Sequence, residues 1–299
     1  MAIYEKALLI YNQNAGQQEI EETLAMIIPK LAPSIHELTL KQTESKGDAE
    51  QYCIQYGEQI DLLLIMGGDG TVHECVNGLL QQAGRPIVAI LPTGTCNDLA
   101  RALNCFSIEE AVEAILAKNK RTIDVVQQNE RFFANFSGVG LISDASKEIS
   151  TTTKDKFGKL GYAISAFRSM IEPSSFTYTL QLEGGEKKSG EAVMILAMNG
   201  QYLGTFGFFK DITSLSDGKL HIFIVKEAGF SLLKSVYQQA TGTDELFNNP
   251  EQIEVVTTVH GTLETSRELD IDSDGEITDQ TPVTYKLFPK ELTFITKEV

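Results

Sequence analysis

A glycine-rich pentapeptide, Gly67-Gly68-Asp69-Gly70-Thr71, is the segment of this chain whose residue types could do chemistry. It follows the apolar run 62–66 and opens a segment of helical pattern that ends near Leu80. Glycines let a ligand approach backbone N–H groups, and a helix N-terminus attracts anions such as phosphate. Asp69 would repel a phosphate unless a cation lies between them or the carboxylate faces a hydroxyl group. The loop therefore predicts a nucleotide with a divalent metal; the alternative is a tight strand-to-helix turn with a solvated aspartate.

Two more loops of small and polar residues follow strand-like runs. Residues 12–16 (Asn-Gln-Asn-Ala-Gly) follow the run 7–11, and residues 92–98 (Pro-Thr-Gly-Thr-Cys-Asn-Asp) follow the run 86–91. In a parallel sheet, all three loops lie at the carboxyl edge, where open α/β folds bind their ligands. The coincidence of three such loops predicts a ligand site at that edge.

The usual phosphate-binding fingerprints are missing from the sequence. It has neither the GxxxxGK[ST] motif of P-loop proteins nor a GxGxxG motif after the first strand. Phosphate contacts would therefore come from backbone amides, Thr71, Thr95 and Arg101. For Arg101, an exposed ion pair with Asp98 three residues earlier is an equally good interpretation.

Strand and helix patterns alternate over the first 120 residues. Two capping-box patterns, Thr71 with Glu74 and Ser107 with Glu110, predict that helices begin at Thr71 and just after Ser107. This βαβαβαβα order predicts a parallel sheet with right-handed crossovers, that is, a Rossmann-like nucleotide-binding α/β domain over residues 1–125.

Strand patterns dominate after residue 120. A hairpin is predicted around Asn129-Glu130, and residues 176–182 alternate apolar and polar side chains before a turn at Gly184-Gly185. Helical patterns occur at 158–171 and 230–240. Further strands are predicted at 192–198, 219–225, 252–259, 283–288 and 291–296. The second domain, residues 126–299, is therefore predicted to be a mostly β antiparallel sandwich, and its last strand could return to the first domain.

Composition excludes several classes of protein. The 299 residues suit two domains, and 42% hydrophobic with 22% charged residues is typical of a folded protein. The net charge of −16 argues against nucleic acid partners and against electrostatic adhesion to anionic membranes. The four cysteines form no CxxC pair, which predicts free thiols. With no signal peptide pattern and no apolar run near 20 residues, we expect a cytoplasmic protein, peripheral at the membrane if it contacts one.

Taken in order, the motifs resemble the diacylglycerol kinase catalytic family. Within it they are most similar to the soluble bacterial lipid kinases, which also resemble sphingosine kinases. The matching segments are Asn12 with Gly16, Gly67–Thr71 with Glu74 and Asn77-Gly78, Pro92–Arg101, Asp124, Asn199-Gly200, Asp217-Gly218 and Asp274-Gly275-Glu276. NAD kinases and phosphofructokinases share the Gly-Gly-Asp-Gly motif, so the resemblance implies an α/β domain of that kind joined to a β-rich acceptor domain.

The resemblance also implies a reaction and its residues. The active site would lie in the cleft between the domains and would transfer the γ-phosphoryl group of ATP, with Mg²⁺, to a lipid hydroxyl. Diacylglycerol, giving phosphatidic acid, is the favoured acceptor. Asp274 would be the general base, with Glu276 supporting it or the metal. Asp69 would act near the nucleotide and metal, and Asp217 would match a metal site in the second domain. The nucleotide would be held by Asn12, Gly67, Gly68, Gly70, Thr71, Thr95, Asn97 and Arg101.

Departures from the family pattern keep other interpretations open. The first loop has Gln13 and Gln17 where the family often has Pro and Lys, so one phosphate-neutralising cation is missing. The alternatives are a kinase of a soluble substrate, similar to NAD kinases, and a nucleotide-binding regulator without catalysis. The stretch from Asp272 to Glu276 also has the composition of an ordinary acidic β-turn.

For partners, we expect a lipid substrate, transient membrane contact and no nucleic acid. A homodimer is one option for the oligomeric state. Aromatic and apolar residues that could line an acyl-chain cleft are Phe167, Met170, Tyr202, Phe206, Phe208 and Phe209. For most of them, the core of the β-rich domain is the ordinary alternative.

Overall fold

The computed structural model describes residues 2–12, 17–141, 143, 174–207, 209–227 and 252–298. The chain divides into two compact units, one formed by Met1–Asp124 with Pro289–Val299 and the other by Val125–Phe288. The predicted helices at 158–171 and 230–240 lie outside the described residues, as do Gly16, Phe167, Met170 and Phe208.

A parallel sheet forms the centre of the first unit. Strands β1 (Tyr4–Asn12), β2 (Ile35–Thr43), β3 (Leu62–Gly67) and β4 (Ile87–Pro92) lie in the order β2-β1-β3-β4, and each neighbouring pair is parallel. Every residue of β3 is buried, as expected for a parallel strand covered on both faces. The predicted parallel α/β architecture is therefore present.

Helices in this unit follow the strands along the chain. They are α1 (Gln17–Leu31), α2 (Asp48–Tyr56), α3 (Asp69–Leu79), α4 (Asp98–Ala102) and α5 (Ile108–Ala117). Apolar side chains from the sheet and from α1 and α5 form one core cluster that includes Leu9, Ile27, Leu64, Leu91 and Ile115.

One predicted helix start is confirmed and the other is wrong. Ser107 caps α5, since its Oγ accepts the N–H of Glu110 at 3.2 Å. Helix α3 begins at Asp69 rather than at Thr71, and its N-cap, Gly68, makes no side-chain cap. The Glu74 carboxylate instead accepts the N–H of Gly47 at 2.9 Å, at the start of α2. Asp69 can open α3 because a carboxylate is favourable in the first turn of a helix.

Two antiparallel sheets make up the second unit. The first contains β8 (Phe176–Leu182), β9 (Lys187–Ala192) and β13 (His260–Thr265), with residues 283–288 of β16 (Val283–Ile295) beside β13. The second has the order β12-β11-β10-β7-β14-β15. Its strands are β7 (Phe136–Gly140), β10 (Met194–Met198), β11 (Leu220–Val225), β12 (Ile253–Thr258), β14 (Asp270–Ser273) and β15 (Glu276–Gln280).

Side chains from both sheets meet in one core, so the predicted mostly β sandwich is confirmed. Leu180 and Leu263 come from the first sheet, and Ile195, Ile222 and Ile271 come from the second. The predicted hairpin around Asn129 is also present, between β5 (Lys120–Gln128) and β6 (Arg131–Phe133).

The last strand corrects one boundary. The sequence predicts two strands, 283–288 and 291–296, but β16 is a single strand of 13 residues that runs through Pro289. Lys290, which follows the proline, has a φ of 53°, and its N–H donates to the Asp124 carboxylate at 2.8 Å. That hydrogen bond stabilises the positive φ at Lys290. Further along β16, Phe294 pairs in parallel with Val88 of β4.

All four cysteines are free thiols, as predicted. Of the helices within the described ranges, none has the length and apolar content needed to cross a bilayer.

Candidate active site

Asp69 joins two of the predicted ligand loops at the carboxyl edge of the parallel sheet. Its Oδ2 accepts the N–H of Asn97 and its Oδ1 accepts the N–H of Asp98, both at 2.8 Å. Asp69 follows β3 and opens α3, whereas Asn97 and Asp98 follow β4 and open α4. One half-buried carboxylate therefore fixes the position of the second loop relative to the first.

Two glycines allow these loops to touch. A Cβ atom added to Gly94 would lie 2.5 Å from the Cα of Gly68, so no larger residue fits without moving backbone. Asn97 closes the second loop on itself, with a φ of 53°. Its Oδ1 accepts the N–H of Gly94 at 2.9 Å and its Nδ2 donates to the Gly94 carbonyl at 2.8 Å. Asn97, predicted to hold the nucleotide, thus shapes the loop that would do so.

The other residues of the glycine loop lie at the start of α3. The Thr71 side chain covers Gly67, where an added Cβ would lie 2.7 Å from the Thr71 Cβ. Gly68, Gly70 and Thr71 are half-buried. The first N–H groups of a helix have no partner within it, so this turn can offer amide donors to an anion.

The remaining predicted nucleotide contacts lie in the same unit. Thr95 is exposed at the tip of the second loop. Arg101 donates from Nε to the Cys96 carbonyl at 2.7 Å, so its guanidinium is turned back onto that loop. Asn12 ends β1, and because Tyr11 pairs with Met66, Asn12 comes level with the start of the glycine loop.

Asp274 occupies a tight turn in the second unit. It links β14 to β15, with φ values of 52° at Asp274 and 91° at Gly275, which is the type I′ geometry that Asp-Gly favours in hairpins. The stretch from Asp272 to Glu276 therefore forms a turn, as its composition predicts. Glu276, the predicted supporting residue, is half-buried and pairs with Ser273 across the turn.

Three backbone N–H groups converge on the Asp274 carboxylate, which is only 8% exposed. Oδ2 accepts from Ala134 at 3.0 Å, and Oδ1 accepts from Asn135 at 3.0 Å and Phe136 at 2.9 Å. The Asp274 N–H donates in return to the Phe136 carbonyl at 3.1 Å. The residue is thus held in a fixed orientation by a segment about 140 positions earlier in the chain.

A buried polar cluster below this turn was not found by sequence reasoning. The hydroxyl groups of Ser137 and Ser273 both donate to the Gln128 Oε1, at 2.5 and 2.8 Å. Ser137 also lies 3.2 Å from the Tyr285 hydroxyl. Burial raises the pKa of Tyr285 to about 12, so its phenol is neutral near pH 7. These residues come from four separate strands, and no local pattern in the sequence marks them.

The Asn199-Gly200 motif supports the same segment. Asn199 donates from Nδ2 to the Ala134 carbonyl at 2.7 Å, and the Asn135 carbonyl accepts the N–H groups of Asn199 at 2.9 Å and Gly200 at 2.8 Å. Residues 199–200 therefore fix residues 134–135, whose backbone N–H groups in turn bind Asp274.

Comparison with known proteins decides the family. Residues 6–128 match the model of the diacylglycerol kinase catalytic domain, and residues 138–296 match that of the YegS C-terminal NAD kinase beta sandwich-like domain. The chain belongs to the diacylglycerol kinase catalytic family. The kinase prediction is thereby confirmed at the level of the family.

Relatives and solved structures agree with this diacylglycerol kinase-like assignment. A Staphylococcus aureus (strain Mu3 / ATCC 700698) protein named "Putative lipid kinase" is 32% identical over 98% of this chain and 97% of its own length. A Bacillus anthracis str. Sterne structure titled "putative diacylglycerol kinase" is similar with a TM-score of 0.87 and 35% identity, covering 99% of this chain and 98% of that one. An NAD kinase from Archaeoglobus fulgidus, solved in complex with ATP, shares the fold at a TM-score of 0.53 and 12% identity, covering 98% and 94% of the two chains.

In this diacylglycerol kinase-like protein, the donor chemistry at Asp69 fits Mg²⁺. Mg²⁺ takes oxygen ligands and is commonly held by one or two carboxylates, waters and substrate phosphates. Asp69 supplies a carboxylate beside the glycine loop. Within the part of the chain that the structure describes, no three His, Cys, Asp or Glu side chains assemble into a metal-binding group. A single carboxylate beside bound phosphates satisfies the Mg²⁺ preference without such a group.

Asp217, the second predicted metal ligand, lies against a histidine. Its Oδ2 is 2.9 Å from the Nε2 of His221, and its Oδ1 accepts the N–H of Lys219 at 3.0 Å. A carboxylate paired with an imidazole differs from the oxygen-only set that Mg²⁺ prefers. We therefore derive no chemical step through a metal at Asp217.

Proposed function

We propose that this protein transfers the γ-phosphoryl group of ATP to a lipid hydroxyl, with diacylglycerol as the favoured acceptor and phosphatidic acid as the product. The observation that carries the proposal is the Asp69 carboxylate on the N–H groups of Asn97 and Asp98. Phosphoryl transfer depends almost entirely on positioning and charge stabilisation. Two glycine-containing loops fixed to each other, at a helix N-terminus, supply that positioning.

Nucleotide binding falls to the first unit. The amides of Gly67, Gly68 and Gly70 and the hydroxyl of Thr71 would face phosphate oxygens at the start of α3. Thr95 and Asn12 lie in the flanking loops, and Asn97 keeps the second loop in shape. Arg101, held by the Cys96 carbonyl, would bring its remaining guanidinium N–H groups to the phosphates.

Asp69 would also hold the magnesium of the nucleotide. Bound Mg²⁺ neutralises the charge that develops between the β- and γ-phosphates. Asp69 then has two tasks, because its carboxylate orients the loop and also presents oxygen to the metal.

Asp274 would act on the acceptor as the general base. The lipid hydroxyl oxygen forms the new bond to the γ-phosphorus, the bond from that phosphorus to the β,γ-bridging oxygen breaks, and ADP leaves. The hydroxyl proton passes to the Asp274 carboxylate and then to water. A base contributes only when it is aimed at the proton that it accepts. The three amides on Asp274 support that orientation, with Glu276 beside the turn.

The test is transfer of radiolabel from [γ-³²P]ATP to extracted lipids, to diacylglycerol, to sphingoid bases and to NAD. We expect labelled phosphatidic acid, identified by mass spectrometry, and loss of label with Asp69→Asn and Asp274→Asn. Asp61→Asn is the matched control for Asp69, because the Asp61 Oδ2 also accepts two backbone N–H groups, those of Glu5 and Lys6, before β3.

Other labelling patterns would overturn the proposal. Label on NAD alone would identify a soluble-substrate kinase, and tight ATP binding without transfer to any acceptor would identify a regulator. If Asp61→Asn were as inactive as Asp69→Asn, the loss of activity would follow from removing any aspartate that accepts two backbone N–H groups, and not from damage to the proposed site.

A further inference from the structure

Asn135 lies where two hydrogen-bonded segments of the second unit cross. Its N–H donates to the Asp274 Oδ1 at 3.0 Å, and its carbonyl accepts the N–H groups of Asn199 and Gly200 at 2.9 and 2.8 Å. Its backbone therefore contacts the proposed base on one side and residues 199–200 on the other. Neither its residue type nor its spacing marks it in the sequence.

The Asn135 side chain extends this connection toward Tyr202. It is 4% exposed, and its Nδ2 donates to the Tyr202 carbonyl at 2.9 Å. Its Oδ1 is buried and has no hydrogen-bond partner among the residues that the structure describes. That oxygen occupies the space in which a side chain at position 200 would lie, since a Cβ added to Gly200 would overlap it. A buried acceptor without a partner costs free energy. The Asn135 amide keeps this orientation because its Nδ2 bonds to Tyr202 and its Oδ1 packs on Gly200.

A tight turn with an exposed aromatic follows Tyr202. Leu203 and Phe206 pair across it, and the two residues between them, Gly204 and Thr205, have φ values of 60° and 83°. Phe206 is 50% exposed. A β-branched residue at positive φ is uncommon and is found where surrounding structure fixes the backbone. The turn is thus a fixed feature that begins one residue after the Asn135 contact.

We propose that Asn135 is a positioning residue for the lipid acceptor: it sets the distance between the Asp274 carboxylate and the Leu203–Phe206 turn, which contacts the lipid. The inference rests on the proposed function. Asp274 is bound to residues 134–136, Asn135 is bound to Tyr202, and Tyr202 precedes the turn, so the proton acceptor and the lipid contact share one hydrogen-bonded frame. Removal of the Asn135 amide leaves the backbone bonds to Asp274, Asn199 and Gly200 in place and removes the side-chain bond that positions Tyr202 at the start of the turn.

Steady-state kinetics with purified protein test this role. Asn135→Ala and Asn135→Asp both remove the donor to Tyr202, and the aspartate also keeps the side-chain volume. We expect kcat/KM for diacylglycerol to fall roughly 10- to 100-fold, as a misplacement of about 1 Å can produce, with a higher lipid KM. The KM for ATP should stay within about twofold of wild type, because the proposed nucleotide residues belong to the other unit.

A matched control separates positioning from general stability. Asn129 also makes side-chain hydrogen bonds within the second unit. Its Nδ2 donates to Asp279, and its Oδ1 accepts the N–H of Thr284, so these bonds run to residues other than 134–136. Asn129→Ala should lower the melting temperature and leave the lipid kinetic constants unchanged below the transition. Gly200→Ala should lower stability through overlap with Asn135. Adding Asn135→Ala should recover part of the lost melting temperature, because the overlapping amide is gone, but should not recover the lipid kinetics.

Two results would overturn the inference alone: an active wild type with unchanged lipid constants in both Asn135 variants, or an equal loss of lipid and ATP kinetic constants. A wild type that phosphorylates no lipid would overturn the proposed function, and the inference with it.

Discussion

The substitution Asp274→Asn tests whether one carboxylate holds the segment 134–136 as the structure describes. It keeps the shape of the side chain and replaces one acceptor oxygen by an NH₂ group. The amide oxygen can keep the two donors at Oδ1, Asn135 and Phe136. The NH₂ group then faces the N–H of Ala134, which loses its acceptor.

The expected loss follows from three hydrogen bonds. A hydrogen bond to a charged group contributes about 1.5–3 kcal/mol, against about 0.5–1.5 kcal/mol for a neutral pair. Loss of the Ala134 bond and weakening of the other two by about 1 kcal/mol each together give about 3–5 kcal/mol. For a unit of this size, each kcal/mol shifts the melting temperature by about 2–4 °C, so we expect a fall on the order of 10 °C.

Calorimetry measures the shift, and kinetics below the variant's transition measure the chemistry. If Asp274 is the base, kcat should fall by about 10²–10⁴-fold in the folded variant. Asp270→Asn is the control, because Asp270 begins β14, the strand that leads into the turn, and its Oδ1 accepts from the Gln280 side chain at 2.6 Å, a bond that does not involve residues 134–136. A melting temperature within about 2 °C of wild type would refute the three-bond reasoning. An unchanged kcat would refute the role as base.

Three further predictions concern the loop contact, metal and pH. Gly94→Ala places a Cβ 2.5 Å from the Gly68 Cα, so stability should fall by about 1–3 kcal/mol and ATP affinity by at least about tenfold. The control is Gly84→Ala, whose Cβ meets nothing nearer than 3.9 Å. Equal ATP affinities for the two variants would contradict the prediction. Excess EDTA should abolish phosphoryl transfer and Mg²⁺ should restore it; transfer that persists in EDTA would exclude a metal-dependent reaction. Hydrogen bonding from Lys188 lowers the pKa of Glu254 below its usual 4.5, so Glu254 contributes stability above that value and loses it as pH falls through the folded-state pKa. Glu254→Gln should therefore melt below wild type at pH 7, by the equivalent of about 0.5–1 kcal/mol, and match it in acid; a difference that persists in acid would disprove the ion-pair explanation.

The turn at Asp274-Gly275 could be predicted from sequence because Asp-Gly is a local signal for a type I′ hairpin. Its long-range contacts could not. The amides that donate to the Asp274 carboxylate belong to residues 134–136. No pattern in that part of the sequence predicts a contact with Asp274. Local turn chemistry depends on two residues, whereas the orientation of the carboxylate depends on how distant strands pair.

The same distinction applies to the glycine loop. The order of strands and loops was enough to predict that residues 67–71 and 92–98 share one edge of a parallel sheet. The start of α3 was predicted wrongly, because the capping-box pattern of Thr71 and Glu74 ignores the competing partner of Glu74, the N–H of Gly47. Propensity and spacing describe neighbours along the chain, and a tertiary hydrogen bond can take a side chain away from them.

Strand β16 has a consequence for biosynthesis. Residues 289–297 complete the sheet of the first unit, where Phe294 pairs with Val88 and the N–H of Lys297 donates to the Leu103 carbonyl. During translation the first 124 residues leave the ribosome well before this strand, since the whole second unit is made in between. At roughly 5–20 residues per second, the edge of β4 waits on the order of ten seconds or longer for its neighbour. We therefore expect a nascent chain of this protein to leave one edge of β4 unpaired for that interval, and we expect a fragment that stops at residue 124 to aggregate rather than fold.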